Sequence, residues 1–171
     1  DQIVFQANRS EIKAVKSAEG ITLTLPKDNP QKIEDIDSFS DALNAKVLEV
    51  YRGIDDFVAI LEDEEAVANN NPNFSQIKHM DSRGLIVTAK GSEVDFVSRW
   101  YGPQTGIDED PVTGSAHALL ATYWSGIFNK NDLTAKQLSK RGGLLHCSVK
   151  EEKVDITGQA ALYLRGTLQL N

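Results

Sequence analysis

Apolar and polar residues alternate over residues 21–25 in the run Ile-Thr-Leu-Thr-Leu, the period-two pattern of a half-buried strand. Pro26 stops it, because proline has no amide to continue a ladder. Residues 27–36 lack a period and read as a loop. Residues 38–45 read as a short helix with Phe39, Ala42 and Leu43 on one face and Asp37 or Ser38 as its cap. Residues 46–52 and 56–61 read as two strands joined at Gly53. A helix is expected after the acidic run Glu62-Asp63-Glu64-Glu65, ended by Asn69-Asn70-Asn71-Pro72, and a second short one over 74–80. Residues 84–89 and 94–101 form a hairpin pattern about the Lys90-Gly91-Ser92 turn. The clearest helix follows, since Ala116, Leu119, Leu120, Tyr123, Trp124 and Ile127 recur at i, i+3, i+4, i+7, i+8 and i+11. Asp132 or Asn131 then caps another predicted short helix through Leu138, and 144–150, 153–156 and 160–170 read as strands. The opening residues 1–6 are also extended and apolar in character. Strands dominate, without the βαβ alternation of a doubly wound sheet, so the expected class is α+β.

Composition narrows the partners. Of 171 residues, 40% are apolar, enough for one sizeable core, and 18 basic against 25 acidic side chains leave a net charge of −7 and a pI near 4.9. With no basic stretch, nucleic acid and anionic membrane surfaces are disfavoured as partners. No run of apolar residues is long enough to span a bilayer, and the first thirty residues lack a basic start followed by an apolar run. Cys147 is the single cysteine, which excludes an internal disulfide and a cysteine-based zinc site and makes the cytoplasm the default compartment. The four consecutive acids at 62–65 lack the ligand spacing and central glycine of a calcium loop and read as a helix start. The only methionine is Met80, and the chain is expected to be a piece of something longer.

Chemistry concentrates between the hairpin and the strong helix. Residues 102–117 place a polar, glycine-containing loop before a first helical turn whose amides have no intrahelical partner, so a carboxylate or phosphate can sit against Thr113, Gly114, Ser115 and Ala116. Ser115 adds a hydroxyl donor, and Asp110, just before Pro111, can accept from a hydroxyl or amino group elsewhere on the same ligand. The bland alternative, of equal weight on physical grounds, is that Thr113 or Asp110 merely caps the helix. His117 falls in the first turn, where the dipole favours a neutral ring, and a structural use is the more frequent one. His79 and His146 have no evident partner and read as structural, as does a strand-buried Cys147. Arg99, one strand away from the motif, can pair with Asp110 or meet the ligand, and a strand-surface salt bridge is the more frequent use.

The run Asp-Glu-Asp-Pro-Val-Thr-Gly-Ser-Ala-His at 108–117 resembles the signature of the PhzF-like phenazine-biosynthesis family, relatives of diaminopimelate epimerase. Residues 84–89, 95–103, 140–143 and 154–160 resemble the same family in the same order. The resemblance implies a diaminopimelate epimerase-like architecture: two lobes, each a curved, mainly antiparallel sheet wrapped around a central helix, with substrate in the cleft between them. It implies that residues 1–25 are the tail of an otherwise absent N-terminal lobe and 26–171 the C-terminal lobe, whose final strand packs back on the first. The function implied is cofactor-independent isomerisation by general acid/base proton transfer on a small carboxylate-bearing substrate, without metal or organic cofactor. By resemblance Asp110 and Ser115 act on and orient the substrate, while Thr113, Gly114, Ala116 and His117 bind it. The glutamate expected as acid/base, and the Gly-His-Ala-Thr-like stretch of the first lobe, have no counterpart here, so the chain alone is expected to be inactive. No thiol occupies the loop, which disfavours a two-cysteine racemase. A homodimer, or pairing with the missing lobe, is expected. The alternative function is a non-catalytic binding or interaction module.

Overall fold

A computed structural model of the chain describes residues 2–7, 10–167 and 169. Among the described residues, twelve strands join in one mixed sheet. They are β1 (Gln2–Gln6), β2 (Glu11–Ser17), β3 (Gly20–Pro26), β4 (Gln31–Ile33), β5 (Glu49–Arg52), β6 (Asp56–Ile60), β7 (Gly84–Lys90), β8 (Phe96–Gly102), β9 (Ile107–Asp110), β10 (Asp132–Gln137), β11 (Gly143–Val149) and β12 (Lys153–Gly158). Their spatial order is β1-β2-β3-β12-β11-β10-β8-β7-β6-β5-β4, with β9 paired to β8 off this path. The helices are α1 (Asp37–Leu43), α2 (Glu64–Ala68), α3 (Phe74–Ile77) and α4 (Gly114–Phe128). None of the described helices is long and apolar enough to cross a membrane.

Pairing is antiparallel except at two places. Strands β6 and β7 run parallel, as do β8 and β10, because α2 with α3 and then α4 carry the chain back across the sheet between them. Period-two alternation sorts the strand residues onto two faces. Val58, Ile60, Ile86, Phe96 and Trp100 pack with α4, while Ala59, Leu85, Val87, Val97 and Tyr101 pack with α1, α2 and α3. The α+β, sheet-dominated class is as the pattern implies. The sheet is not organised around one central helix, however, since helices cover both of its faces.

Several local expectations are met. Pro26 ends β3, β7 and β8 form the hairpin, and α4 buries Ala116, Leu119, Leu120 and Trp124, although Ile127 is exposed. Asp63 caps α2 by accepting from the Ala66 amide at 2.8 Å, so the acidic run serves a helix start. Others are corrected. Residues 132–137 form strand β10, not a helix: Leu133, Ala135 and Gln137 alternate inward, and Asp132 begins a strand rather than capping a turn. The stretch 27–36 holds the short edge strand β4. Neither Asp37 nor Ser38 caps α1; the Asp35 carboxylate accepts from the Ser38 amide at 3.2 Å. Residues 160–167 form no strand and expose Leu162, Tyr163 and Leu164, while 168 and 170 of the expected final strand lie outside the described residues.

Candidate active site

The loop from β9 into α4 is fixed from below by one buried side chain. Gln137, at the end of β10, is 1% exposed; its Oε1 accepts from the Thr113 amide at 2.8 Å, and its Nε2 donates to the Asp110 carbonyl at 2.7 Å. The Thr113 hydroxyl donates to the Asp110 carboxylate at 2.6 Å, which orients that carboxylate. Thr113 occupies the N-cap position with extended backbone, yet its side chain makes no cap hydrogen bond. The amides of Gly114, Ser115 and Ala116 therefore remain unclaimed by any side-chain cap. The bland reading, a side-chain cap at this helix start, is not what the geometry shows. Ser115 is exposed, Gly114 half-exposed and Ala116 buried. A Cβ on Gly114 would meet only Leu23 at 3.9 Å, so the backbone there is open to a ligand.

Further support comes from the turn that leads into β11. Ser139 donates to the Pro111 carbonyl at 2.7 Å and accepts from the Gly142 amide at 3.0 Å, and a Cβ on Gly143 would lie 2.5 Å from Val112 Cγ2. The Asp-Pro-Val-Thr segment thus rests on the Gly142-Gly143 turn. His117 is fully buried, with Nδ1 donating to the Thr113 carbonyl at 2.8 Å and Nε2 facing the Ser98 hydroxyl at 3.5 Å. Burial pulls its pKa from 6.5 to about 4, against the smaller opposing effect of the Thr113 hydrogen bond, so the ring is neutral. Its place is beneath the loop, holding Thr113, rather than on the open side.

Arg99 pairs with Glu109, at 2.7 Å and 3.0 Å, and donates to the carbonyls of Val67, Ala68 and Asn70. It sits on the face opposite α4 and ties α2 to β9, an ion-pair role as expected, with Glu109 as the acid. Cys147 is buried on β11, where burial pushes its thiol up to about 12. His79 Nδ1 donates to the Ser75 carbonyl at 2.7 Å, and His146 lies near the Thr134 hydroxyl at 3.3 Å; neither approaches the loop.

Other groups share the α4 face that sequence reasoning passed over. Asp56 binds Arg83 through Oδ1 to Nε at 3.0 Å and through Oδ2 to Nη2. Burial works against the Arg83 cation, but the Asp56 hydrogen bond and the charges of Asp56, Asp55 and Asp110 outweigh it and raise its pKa. Asp28 accepts from the Ile54 amide at 3.0 Å and 3.3 Å; burial is the chief cause that raises its pKa, and Asp55 and Asp56 add to it. The Arg83–Asp56 pairing joins the start of β6 to the residue just before β7, which are neighbours only because β6 and β7 run parallel, so no local motif announces it. Gln137 was hidden for the same kind of reason, since the parallel β8–β10 pairing brings it under the loop from 24 residues away.

Three comparisons bear on this arrangement. An uncharacterised isomerase of Pseudomonas aeruginosa is 39% identical over 166 residues, covering 97% of this chain and 64% of that protein. An uncharacterised isomerase of Halalkalibacterium halodurans is 39% identical over 172 residues, covering 98% of this chain and 64% of that protein. A crystal structure of a phenazine biosynthesis PhzF family protein from Enterococcus faecalis superposes with a TM-score of 0.90 at 42% identity, over 99% of this chain and 65% of that one. The chain thus spans slightly less than two thirds of the length of these relatives. The phenazine biosynthesis-like (PhzC-PhzF) family model matches residues 16–166, taking in the Gln137-braced loop, α4 and the strands beneath them, and the chain belongs to that family.

Proposed function

We propose that this chain forms the substrate-holding part of a PhzF-like, cofactor-independent isomerase that moves a proton within a small carboxylate-bearing substrate. The observation that carries the reading is the open first turn of α4, whose amides are unclaimed by any side-chain cap and stand beside an Asp110 carboxylate oriented by Thr113. A substrate carboxylate at the amides of Gly114, Ser115 and Ala116 gains hydrogen bonds and the favourable end of the helix dipole. When a proton leaves the adjacent carbon, negative charge spreads onto that carboxylate, and the same amides stabilise it more strongly than in the ground state. Asp110 accepts a hydrogen bond from a hydroxyl or amino group of the substrate, Ser115 adds a donor, and His117 holds Thr113 from below. The names of the relatives support isomerisation as the reaction class.

In this reading the acid/base group comes from outside residues 1–171, from a further lobe or a second copy. Closure of that lobe over Asp110 would exclude water. The test is a pair of measurements on the intact protein. Small monocarboxylates are expected to shift the amide resonances of residues 114–116. Asp110→Asn is expected to lower turnover by about a hundredfold, the usual scale when a substrate is held out of its reacting geometry. Carboxylate binding without turnover of any candidate acid would favour a binding module, and unmoved 114–116 amides would sink the anion site itself.

A further inference from the structure

Arg83 is charged, tightly held and unused by the reaction scheme above. Asp56, whose side chain is 4% exposed, grips its Nε–Nη2 edge as a fork, while the Arg83 side chain itself is 37% exposed. The guanidinium lies over the Trp100 indole, with Cζ 5.6 Å from the ring centroid. The indole can lie there because Gly84 and Gly102 offer no side chains: a Cβ on Gly102 would fall 2.0 Å from the ring, and one on Gly84 2.5 Å. Trp100 is also the cross-strand partner of Asp110, so their side chains share the α4 face. Arg83, Trp100, Asp110 and the α4 amides therefore follow one another along one side of the sheet.

An ion pair with one partner buried is a poor device for stability alone, because the desolvation cost of the buried charge offsets the attraction. What this pair provides is a cation fixed on one edge and one face, with the Nη1 donors making no hydrogen bond among the described residues. A guanidinium held so presents its remaining donors to a planar acceptor at low entropic cost. We propose that Arg83 recognises a second carboxylate of the ligand whose first carboxylate sits at the α4 amides, so that the site selects dicarboxylates, with Asp56 as its positioning residue. The inference rests on the anion-site reading of the α4 N-terminus.

The experiment is calorimetric and amide-shift titration of the intact protein with propionate, malonate, succinate and glutarate. At least one dicarboxylate is expected to bind about tenfold more tightly than propionate, the equivalent of one charge-assisted hydrogen bond, and to shift both the 114–116 amides and the Arg83 Nε–H. Arg83→Gln should abolish that preference while leaving the propionate response of residues 114–116 intact. Arg83→Lys should keep part of it, and Asp56→Asn should weaken it. If Arg83→Gln fails to fold because Asp56 is stranded, the double variant Asp56→Asn with Arg83→Gln removes both charges and carries the same expectation. Equal binding of mono- and dicarboxylates, or an undiminished preference in the Arg83 variants, overturns the proposal. Propionate that moves none of the 114–116 amides overturns the anion-site reading instead, and a dicarboxylate preference that persists there and is lost in Arg83→Gln keeps the role of Arg83. No response to any of the four acids overturns both.

Discussion

His117 is neutral in the folded chain down to about pH 4, whereas the same ring in the unfolded chain takes up a proton near 6.5. Between those values only the unfolded state gains the proton, so folding stability is intact above about 6.5 and falls as the pH drops towards 4. The full loss is on the order of 3 kcal/mol for a shift of this size. Denaturant melts at a series of pH values should show this slope, and His117→Gln should flatten it. Cys147 is the complementary case. Its thiol, pushed up to about 12 by burial, should resist aromatic disulfide reagents at pH 8 in the native protein and react promptly once the chain is unfolded. Rapid native labelling would contradict its place on β11. At this scale the loop's own residues were legible, because helix-start chemistry is local. Arg83, Asp56 and Gln137 were not, because each acquires its meaning from a strand neighbour remote in sequence.

The elements show why some patterns read truly and others did not. Strand β3, the β7–β8 hairpin and α4 combine a clear period with a clear stop, and they stand where the pattern puts them. Strand β10 was misread because Asp132 resembles a helix cap and its inward positions include a glutamine; what decides it is pairing with β8 and β11 on either side. Gln137 then does for the loop what a hydrophobic side chain could not, satisfying a donor and an acceptor of the 110–113 backbone at once. Gln137→Leu, of similar size, should cost about 2–4 kcal/mol in chemical denaturation, since it strands buried polar groups. It should also broaden the 110–116 amide resonances. The glycine pair under Trp100 makes a second expectation. Gly102→Ala, with its Cβ forced to 2.0 Å from the ring, should lower stability by about 1–3 kcal/mol and displace the indole. A neutral effect would show that the indole yields freely.

Over the whole molecule the two faces of the sheet differ in what they leave uncovered. The α1–α3 layer closes one face over β5–β8, whereas α4 spans the other only as far as β3. Beyond it, β1 and β2 continue the α4 face with Ile3 58% and Phe5 52% exposed, beside a half-buried Ile12. Replacing Ile3 and Phe5 by Thr should change stability by no more than about 0.5 kcal/mol, the range for exposed positions, and reduce binding of an apolar dye. A large loss of stability would mean that this hairpin is packed more tightly than its exposure indicates.

The bed of glycines under Trp100 also makes the protein its own optical probe. The chain's two tryptophans, Trp100 and Trp124, belong to the same cluster on the α4 face, while the aromatic residues of the opposite cluster are phenylalanine and tyrosine. Indole emission therefore watches one side of the sheet and is blind to loosening of the other. With a guanidinium stacked on one of the two fluorophores, any acid that draws Arg83 aside will change the colour or intensity of that light without a label being attached.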